Sequence, residues 1–87
     1  MNSIYAIYPN PTSTGSFVLQ YNGPRRGEWT FAQESMTELV MMDITGKVVF
    51  IAQVVLDGNA VEIEFGNLAN GVYVVMVGEE RKRLVVQ

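Results

Sequence analysis

Side chains that could carry acid–base chemistry are restricted to carboxylates, because the chain of 87 residues contains neither histidine nor cysteine. No nucleophile–base pair that uses Cys or His can be built, and neither can a zinc site with those ligands. Glu62 and Glu64 are two residues apart in an alternating run, so they would share one face of a strand. Paired carboxylates can serve as acid and base in glycoside hydrolysis, which makes a hydrolase one hypothesis. The alternation favours the simpler interpretation of a solvated strand face.

Phosphate and metal binding are weakly indicated. The sequence has neither a GxxxxGK[ST] loop nor a GxGxxG turn, the glycine patterns on which phosphate cradles depend. Oxygen ligands for calcium occur at Asp57-Gly58-Asn59 and near Asp43. Both clusters are poor in carboxylates and suit a tight turn better than a dedicated site. We therefore expect no cofactor and no resident metal.

Exposed aromatic rings would point to a different function, because a coplanar group of rings can stack on sugars. This alternative is a carbohydrate-binding or adhesive module of a surface enzyme. It requires that the rings face solvent instead of packing at strand edges. The candidate rings belong to Tyr5, Tyr8, Trp29 and Tyr73.

Composition limits the chain to one small globular domain. Hydrophobic residues make up 48% and charged residues 17%, which is too apolar for a disordered segment. The net charge of -3 argues against a nucleic-acid partner. The longest uninterrupted hydrophobic run, 72–77, has six residues and is far too short to span a membrane.

The elements that would position these side chains are short strands. Runs rich in Val, Ile, Phe, Tyr and Met are separated by Gly, Asn, Asp and Pro, which predicts an all-β chain of about seven antiparallel strands. Alternation on two faces favours a two-sheet sandwich over a barrel. Residues 28–32 suit a short strand and a loop that caps the core with Trp29 equally well. The predicted strands are 4–8, 16–21, 37–44, 47–56, 60–65, 72–77 and 81–87.

One predicted strand, 47–56, is apolar on both faces. That pattern is typical of a central strand or of one that switches sheets partway. The tight turn that precedes it, Asp43-Ile44-Thr45-Gly46, has Asp and Gly where a type I turn favours them. We expect the methionines to fill the core, because their flexible side chains fit irregular gaps. These are Met36, Met41, Met42 and Met76.

The order of several motifs resembles a known family, the C-terminal sorting domain (type A) of the Bacteroidetes type IX secretion system. That family has a YPNP–S/T–x–G–x–F start, a D-x-x-G-K/R-V-V hairpin, an L-x-x-G-x-Y-x-V-x-V stretch and a basic-to-apolar final strand. The resemblance covers residues 8–87. The matching segments are Tyr8-Pro9-Asn10-Pro11, Gly15 and Phe17, Asp43-Ile44-Thr45-Gly46-Lys47-Val48-Val49, Leu68-Ala69-Asn70-Gly71-Val72-Tyr73-Val74-Val75 and the run that ends in Val85-Val86-Gln87.

This resemblance implies an immunoglobulin-like antiparallel β-sandwich that acts as a non-catalytic sorting signal. Residues 1–3 would be a linker remnant or an artificial start, and 4–87 the sorting domain. An N-terminal cargo, absent from this chain, would carry the leader that takes it to the periplasm. The outer-membrane machinery would then bind the domain, and a sortase-like protease would remove it and attach the cargo to the cell surface. The cargo would therefore be secreted or displayed.

A signal that is recognised on the folded domain must use surface groups, so we hypothesise that recognition occurs at the 43–47 hairpin tip, the 71–73 strand entry and the final strand. The final strand adds a physical hypothesis: as an edge strand it could pair with a receptor strand through its backbone. The basic pair Arg25-Arg26 suits a solvated loop. The recognition candidates are Asp43, Gly46, Lys47, Gly71, Tyr73, Lys82, Arg83, Val85, Val86 and Gln87, and the family turn comprises Pro9, Asn10, Pro11 and Gly15.

Overall fold

A computed structural model describes residues 5–21, 36–55 and 60–87. These residues form seven strands joined by turns and loops, with no helix among them, and none of the described segments is a helix that could cross a bilayer. The peptide bonds before Pro9 and Pro11 are cis. The strands are β1 (Tyr5–Tyr8), β2 (Ser16–Tyr21), β3 (Met36–Asp43), β4 (Val48–Val55), β5 (Val61–Glu64), β6 (Gly71–Val77) and β7 (Glu80–Val86).

The strands form two antiparallel sheets, which confirms the predicted sandwich. One sheet has three strands in the order β1-β2-β5, and the other has four in the order β4-β3-β6-β7. In immunoglobulin nomenclature this is an A-B-E sheet opposite a C′-C-F-G sheet. Tyr73 adds an immunoglobulin feature, because it lies near the start of β6 and its hydroxyl donates to the Ala69 carbonyl at 2.6 Å. A tyrosine corner has this arrangement at the E–F connection.

The core lies between the sheets and is built mainly from alternating residues of the strands. Phe17 and Leu19 of β2 face Leu39 and Met41 of β3, and all four side chains are almost fully buried. Leu68, which lies outside any strand, also packs against this core. With no disulfide, the stability of the domain depends on packing between these faces.

Strand β4 differs from its prediction. It is an edge strand of the four-stranded sheet, neither central nor shared between sheets. A bulge opposite Met41 and Met42 shifts its register, so that Val49 and Phe50 both pack against the core. Its other face is exposed, with Ile51 at 56% of its full accessibility. Apolar residues on both faces therefore do not mean that both faces are covered.

The expectation that the methionines fill the core is wrong for most of them. Met41 is fully buried between the sheets. Met36 is exposed, and Met42 and Met76 are half-buried. Met42 and Met76 point away from the core because they alternate with Met41 and with Val75 and Val77 on their strands. The predictions for 28–32 and for Arg25-Arg26 lie outside the described residues.

Candidate recognition surface

The motif segments that are far apart in sequence converge at one end of the sandwich. Asp43 at the end of β3 pairs with Tyr73 near the start of β6. Gly71 pairs with Val86 at the end of β7, and Val86 in turn forms a parallel bridge with Thr12. We name this end the motif end; it comprises residues 9–15, 43–47, 71–73 and 85–87. The structure therefore brings the predicted recognition candidates together, except Lys82 and Arg83, which lie farther along β7.

The turn at 43–47 is organised by one carboxylate oxygen. Asp43 Oδ1 accepts hydrogen bonds from the Thr45 backbone N–H at 2.9 Å, the Thr45 hydroxyl at 2.6 Å and the Lys47 backbone N–H at 3.0 Å. The Gly46 N–H donates to the Asp43 carbonyl at 3.0 Å. These donors, the Thr45 hydroxyl first, hold the pKa of Asp43 below its ordinary value. The interpretation of this segment as a turn is confirmed.

The segment after Pro9 lies along the outer edge of β7. Asn10 imitates a paired strand residue: its Nδ2 donates to the Arg83 carbonyl at 2.7 Å, and its Oδ1 accepts from the Val85 N–H at 2.9 Å. Thr12 continues the pairing, because its N–H donates to the Val85 carbonyl at 2.8 Å and its carbonyl accepts from the Gln87 N–H at 2.9 Å. The final strand is thus an edge, as predicted, but its edge groups from the Arg83 carbonyl to the Gln87 N–H are occupied.

Thr12 is a residue whose importance the sequence did not reveal. It is the one polar side chain among the fully buried residues of the described chain, and its hydroxyl donates to the Ser16 carbonyl at 2.6 Å. The sequence places it in a loop of turn-forming residues, where burial is not expected. Its backbone hydrogen-bond partners, Val85 and Gln87, lie more than seventy residues away, so the local sequence does not predict this pairing.

Gly15 is required by both conformation and space. Its φ is 82°, and a Cβ at this position would lie 2.9 Å from the Gly66 carbonyl oxygen. Its own carbonyl accepts from the N–H groups of Phe65 at 2.9 Å and Gly66 at 3.1 Å. Close backbone contact of this kind excludes any larger residue without rearrangement. The glycine of the motif therefore closes the turn against the β5–β6 connection.

The aromatic rings of the described residues do not form a sugar-binding patch. Tyr73 and Tyr5 are buried, at 7% and 9% exposure, and Tyr5 packs at a tilt against Tyr21. Burial first, and then the nearby Tyr21 and Glu80, raise the pKa of Tyr5 above its ordinary value. Tyr8 is exposed, with its hydroxyl 3.1 Å from Gln20 Oε1, and Trp29 lies outside the described residues. The requirement of several coplanar exposed rings is not met by the three described candidates.

The two glutamates of the hydrolase hypothesis lie on an open strand face. Glu62 and Glu64 are exposed on β5 beside a groove of about 330 Å³ between β4 and β5. The groove is lined mainly by apolar side chains such as Phe50, Val54 and Ile63. In the described part of the chain no group of three acidic, His or Cys side chains lies close enough to hold a metal ion. The interpretation as a solvated strand face fits this placement.

The recognition candidates divide into exposed and buried residues. Tyr73 and Val86 are buried and can act only by holding the motif end in shape. Lys82 is half-buried and pairs with Glu80, its Nζ 3.6 Å from Oε2. The candidates that a partner can contact fully are Gly46, Lys47, Arg83 and Gln87.

Comparison with protein families gives one match. The family model described as "Secretion system C-terminal sorting domain" matches residues 6–87, nearly the whole chain. No curated protein and no solved structure gave a match. The chain belongs to this family of sorting domains, which serve type IX secretion.

Proposed function

We propose that this sorting domain is the C-terminal signal of a larger cargo, and that the outer-membrane machinery recognises it at the motif end. The family supports a type IX sorting signal and export to the cell surface or the medium. We further propose that a sortase-like protease removes residues 4–87 after export and attaches the cargo to the surface. In this function the domain carries no catalysis and is itself a substrate.

The convergence of the motifs supports recognition at this end. Four segments that lie far apart along the chain meet there through the Asp43–Tyr73, Gly71–Val86 and Thr12–Val86 pairings. A partner that covers the motif end can therefore contact exposed groups of several of these segments at once. A signal that must be recognised while folded has to use surface groups, because the sandwich hides its core.

The candidates have two different roles in this proposal. Lys47 and Gln87 project from the motif end and contact the machinery. Tyr73 and Val86 are positioning residues. The Tyr73 hydroxyl holds the connection before β6 by its hydrogen bond to the Ala69 carbonyl. Val86 is buried in the core and forms the bridge with Thr12. Asp43 shapes the turn that presents Lys47.

Export of a reporter tests the proposal. A fluorescent protein with a periplasmic leader is fused ahead of residues 1–87 and expressed in a bacterium that has a type IX system. We expect the unaltered fusion to reach the surface or medium without residues 4–87, as mass spectrometry of its C-terminus would show. We expect the double variant Lys47→Glu/Gln87→Ala to accumulate in the periplasm with unchanged thermal unfolding.

Glu62→Lys is the control on the three-stranded sheet: it reverses one charge away from the motif end, in the opposite direction to Lys47→Glu, and it should be exported normally. Retention of the unaltered fusion in the periplasm would contradict the sorting role. Export of the double variant at the normal level would contradict recognition by Lys47 and Gln87 alone. An exported reporter that keeps the domain intact would contradict proteolytic removal.

A further inference from the structure

The outer face of the four-stranded sheet, the face turned away from the three-stranded sheet, is mostly apolar. The pairing register places its side chains in rows that cross the strands. One row runs Ile51, Val40, Met76 from β4 through β3 to β6, and the next runs Val48, Met42, Val74. Neighbouring side chains within a row lie about 5 Å apart, so the rows form a continuous surface.

This surface is open to solvent mainly at its β4 edge, where Ile51 is 56% and Val48 46% exposed. Beside the second row, Val72 is 39% exposed, and the remaining residues of the two rows are half-buried. Strand and residue spacings give the apolar part an area of roughly 300 Å². The largest apolar patch on a typical monomer has about this area and is often functional.

The opposite surface of the same molecule is different. The outer face of the three-stranded sheet carries four polar residues, Ser16, Gln20, Glu62 and Glu64, together with Ala6, Tyr8 and Val18, and its side chains alternate with the buried Phe17, Leu19 and Ile63. A solvated antiparallel sheet normally shows this apolar-in, polar-out alternation. The four-stranded sheet lacks it, so the apolar outer face is a property of that sheet and not of the composition of the chain.

Two arginines border the apolar rows. Arg81 pairs with Met76 and Arg83 with Val74, so each arginine ends one row at β7. Within the described residues neither guanidinium has an ion-pair or hydrogen-bond partner. Glu38 is the one carboxylate that the described strands place on this face. The face is therefore cationic at its border although the chain as a whole has a net charge of -3.

We propose that this outer face docks a separate protein whose surface has an apolar patch bordered by carboxylates that pair with Arg81 and Arg83. The inference depends on no step of the sorting function, because it follows from the composition and charge of the sheet itself. Arginine favours this use: its planar fork binds carboxylates through two hydrogen bonds. The docked protein packs against the outer apolar side chains of β4, which are exposed in the isolated domain.

A second copy of the chain fits this face less well. Two copies joined through the same face would present four arginines against two copies of Glu38. Docking the acidic face of one copy on the apolar face of another would cover the apolar rows mostly with polar side chains. Such a head-to-tail contact also fails to close and produces chains of copies.

A lipid surface fits less well too. Proteins that bind membranes at the interface place Trp or Tyr beside their apolar residues, where the rings lie at headgroup level. The described strands place no aromatic side chain on the outer face: the two aromatic residues of this sheet, Phe50 and Tyr73, pack in the core. Branched aliphatic and methionine side chains on a flat sheet are better suited to packing against another protein.

Site-specific photo-crosslinking in the producing cell tests the proposal. Ile51 is replaced by p-benzoylphenylalanine in the full-length protein, and Glu62 is replaced in the same way as the control on the opposite face. We expect residue 51 to form one major adduct with another protein, and residue 62 to form none. Combining the probe with Arg81→Glu/Arg83→Glu should lower the adduct yield about tenfold, the effect of losing about 1.4 kcal/mol of binding free energy.

Charge exchange completes the test. Changing the carboxylates of the crosslinked segment of the partner to lysine should restore the adduct with the Arg81→Glu/Arg83→Glu variant. Thermal unfolding of that variant should match the unaltered domain, because both side chains are exposed. An adduct with a second copy, an adduct with lipid, no adduct, or a yield that the charge reversal leaves unchanged would each overturn the proposal.

Discussion

At the level of single residues, polar side chains at the motif end replace backbone groups as hydrogen-bond partners. One carboxylate oxygen of Asp43 accepts three hydrogen bonds. The side-chain amide of Asn10 donates one hydrogen bond to β7 and accepts another from it. Tyr73 ties the corner before β6 to Ala69. Motif residues at this end therefore determine its shape before any of them contacts a partner.

Asp43 should make stability depend on pH in the acidic range. Its pKa in the fold is lowered, so its contribution is present above the ordinary carboxyl pKa and is lost as pH falls through the folded value. We expect Asp43→Asn to be less stable than the unaltered domain at neutral pH, with the difference shrinking toward acid pH. Urea unfolding at several pH values measures this. Glu64→Gln controls for removal of a carboxylate, and a difference that is constant with pH would contradict the assignment.

Gly15 and Gly46 form a matched pair for separating backbone strain from steric contact. Both have positive φ, 82° and 91°, but only Gly15 has a backbone atom within reach of an added Cβ. Gly46→Ala should cost about 1–2 kcal/mol from the left-handed conformation alone. Gly15→Ala should cost more, because the 2.9 Å contact with Gly66 adds repulsion. Urea midpoints at equal m-values measure both losses, and equal losses would show that the close approach is unimportant.

At the level of elements, the strand edges determine how the sheets can associate. The edge of β7 is covered from Arg83 to Gln87 by residues 10–12, whereas β4 forms the other edge of the sheet. A receptor strand could pair with that part of β7 only after residues 10–12 leave it. Recognition at the motif end is therefore better explained by side chains than by strand addition in this conformation.

The cover on β7 can be tested at one amide. Asn10→Ala removes the acceptor of the Val85 N–H, and Asn10→Asp keeps an acceptor there but loses the donor to the Arg83 carbonyl. We expect Val85 to exchange its amide hydrogen much faster in Asn10→Ala and to stay better protected in Asn10→Asp. Nuclear magnetic resonance measures this, with Leu84, which pairs with Tyr73, as the internal control. Unchanged protection of Val85 in Asn10→Ala would show that Asn10 is not its partner in solution.

Local pattern predicted the strands and the turns but not their neighbours. The alternation of Phe17, Leu19 and Tyr21 and the Asp43–Gly46 turn follow from residue spacing, which acts over a few positions. The edge position of β4 could not be predicted. A run that is apolar on both faces shows which side chains the strand carries, but not which strands or sheets lie beside it. The roles of Asn10 and Thr12 depend on contacts with β7 across most of the chain.

At the level of the whole molecule, the two outer faces differ and the last strand has several roles at once. β7 contributes Leu84 and Val86 to the core, Arg81 and Arg83 to the outer face, and the edge to which residues 10–12 bind. Removing it affects folding and every proposed contact together. Loss of export after truncation would therefore not identify a recognition site by itself.

A stepwise truncation separates these roles. Deleting residues 84–87 removes Leu84 and Val86, which are 0% and 5% exposed, and core losses of this kind cost about 2–5 kcal/mol each. A small domain has about 5–15 kcal/mol in total, so we expect no cooperative thermal transition by circular dichroism. Deleting Gln87 alone removes an exposed residue and its hydrogen bond to Thr12, at about 1 kcal/mol, so the domain should still unfold cooperatively. If the chain that lacks 84–87 also unfolds cooperatively near the normal temperature, these side chains do not hold the sandwich together, and its export would then measure recognition directly.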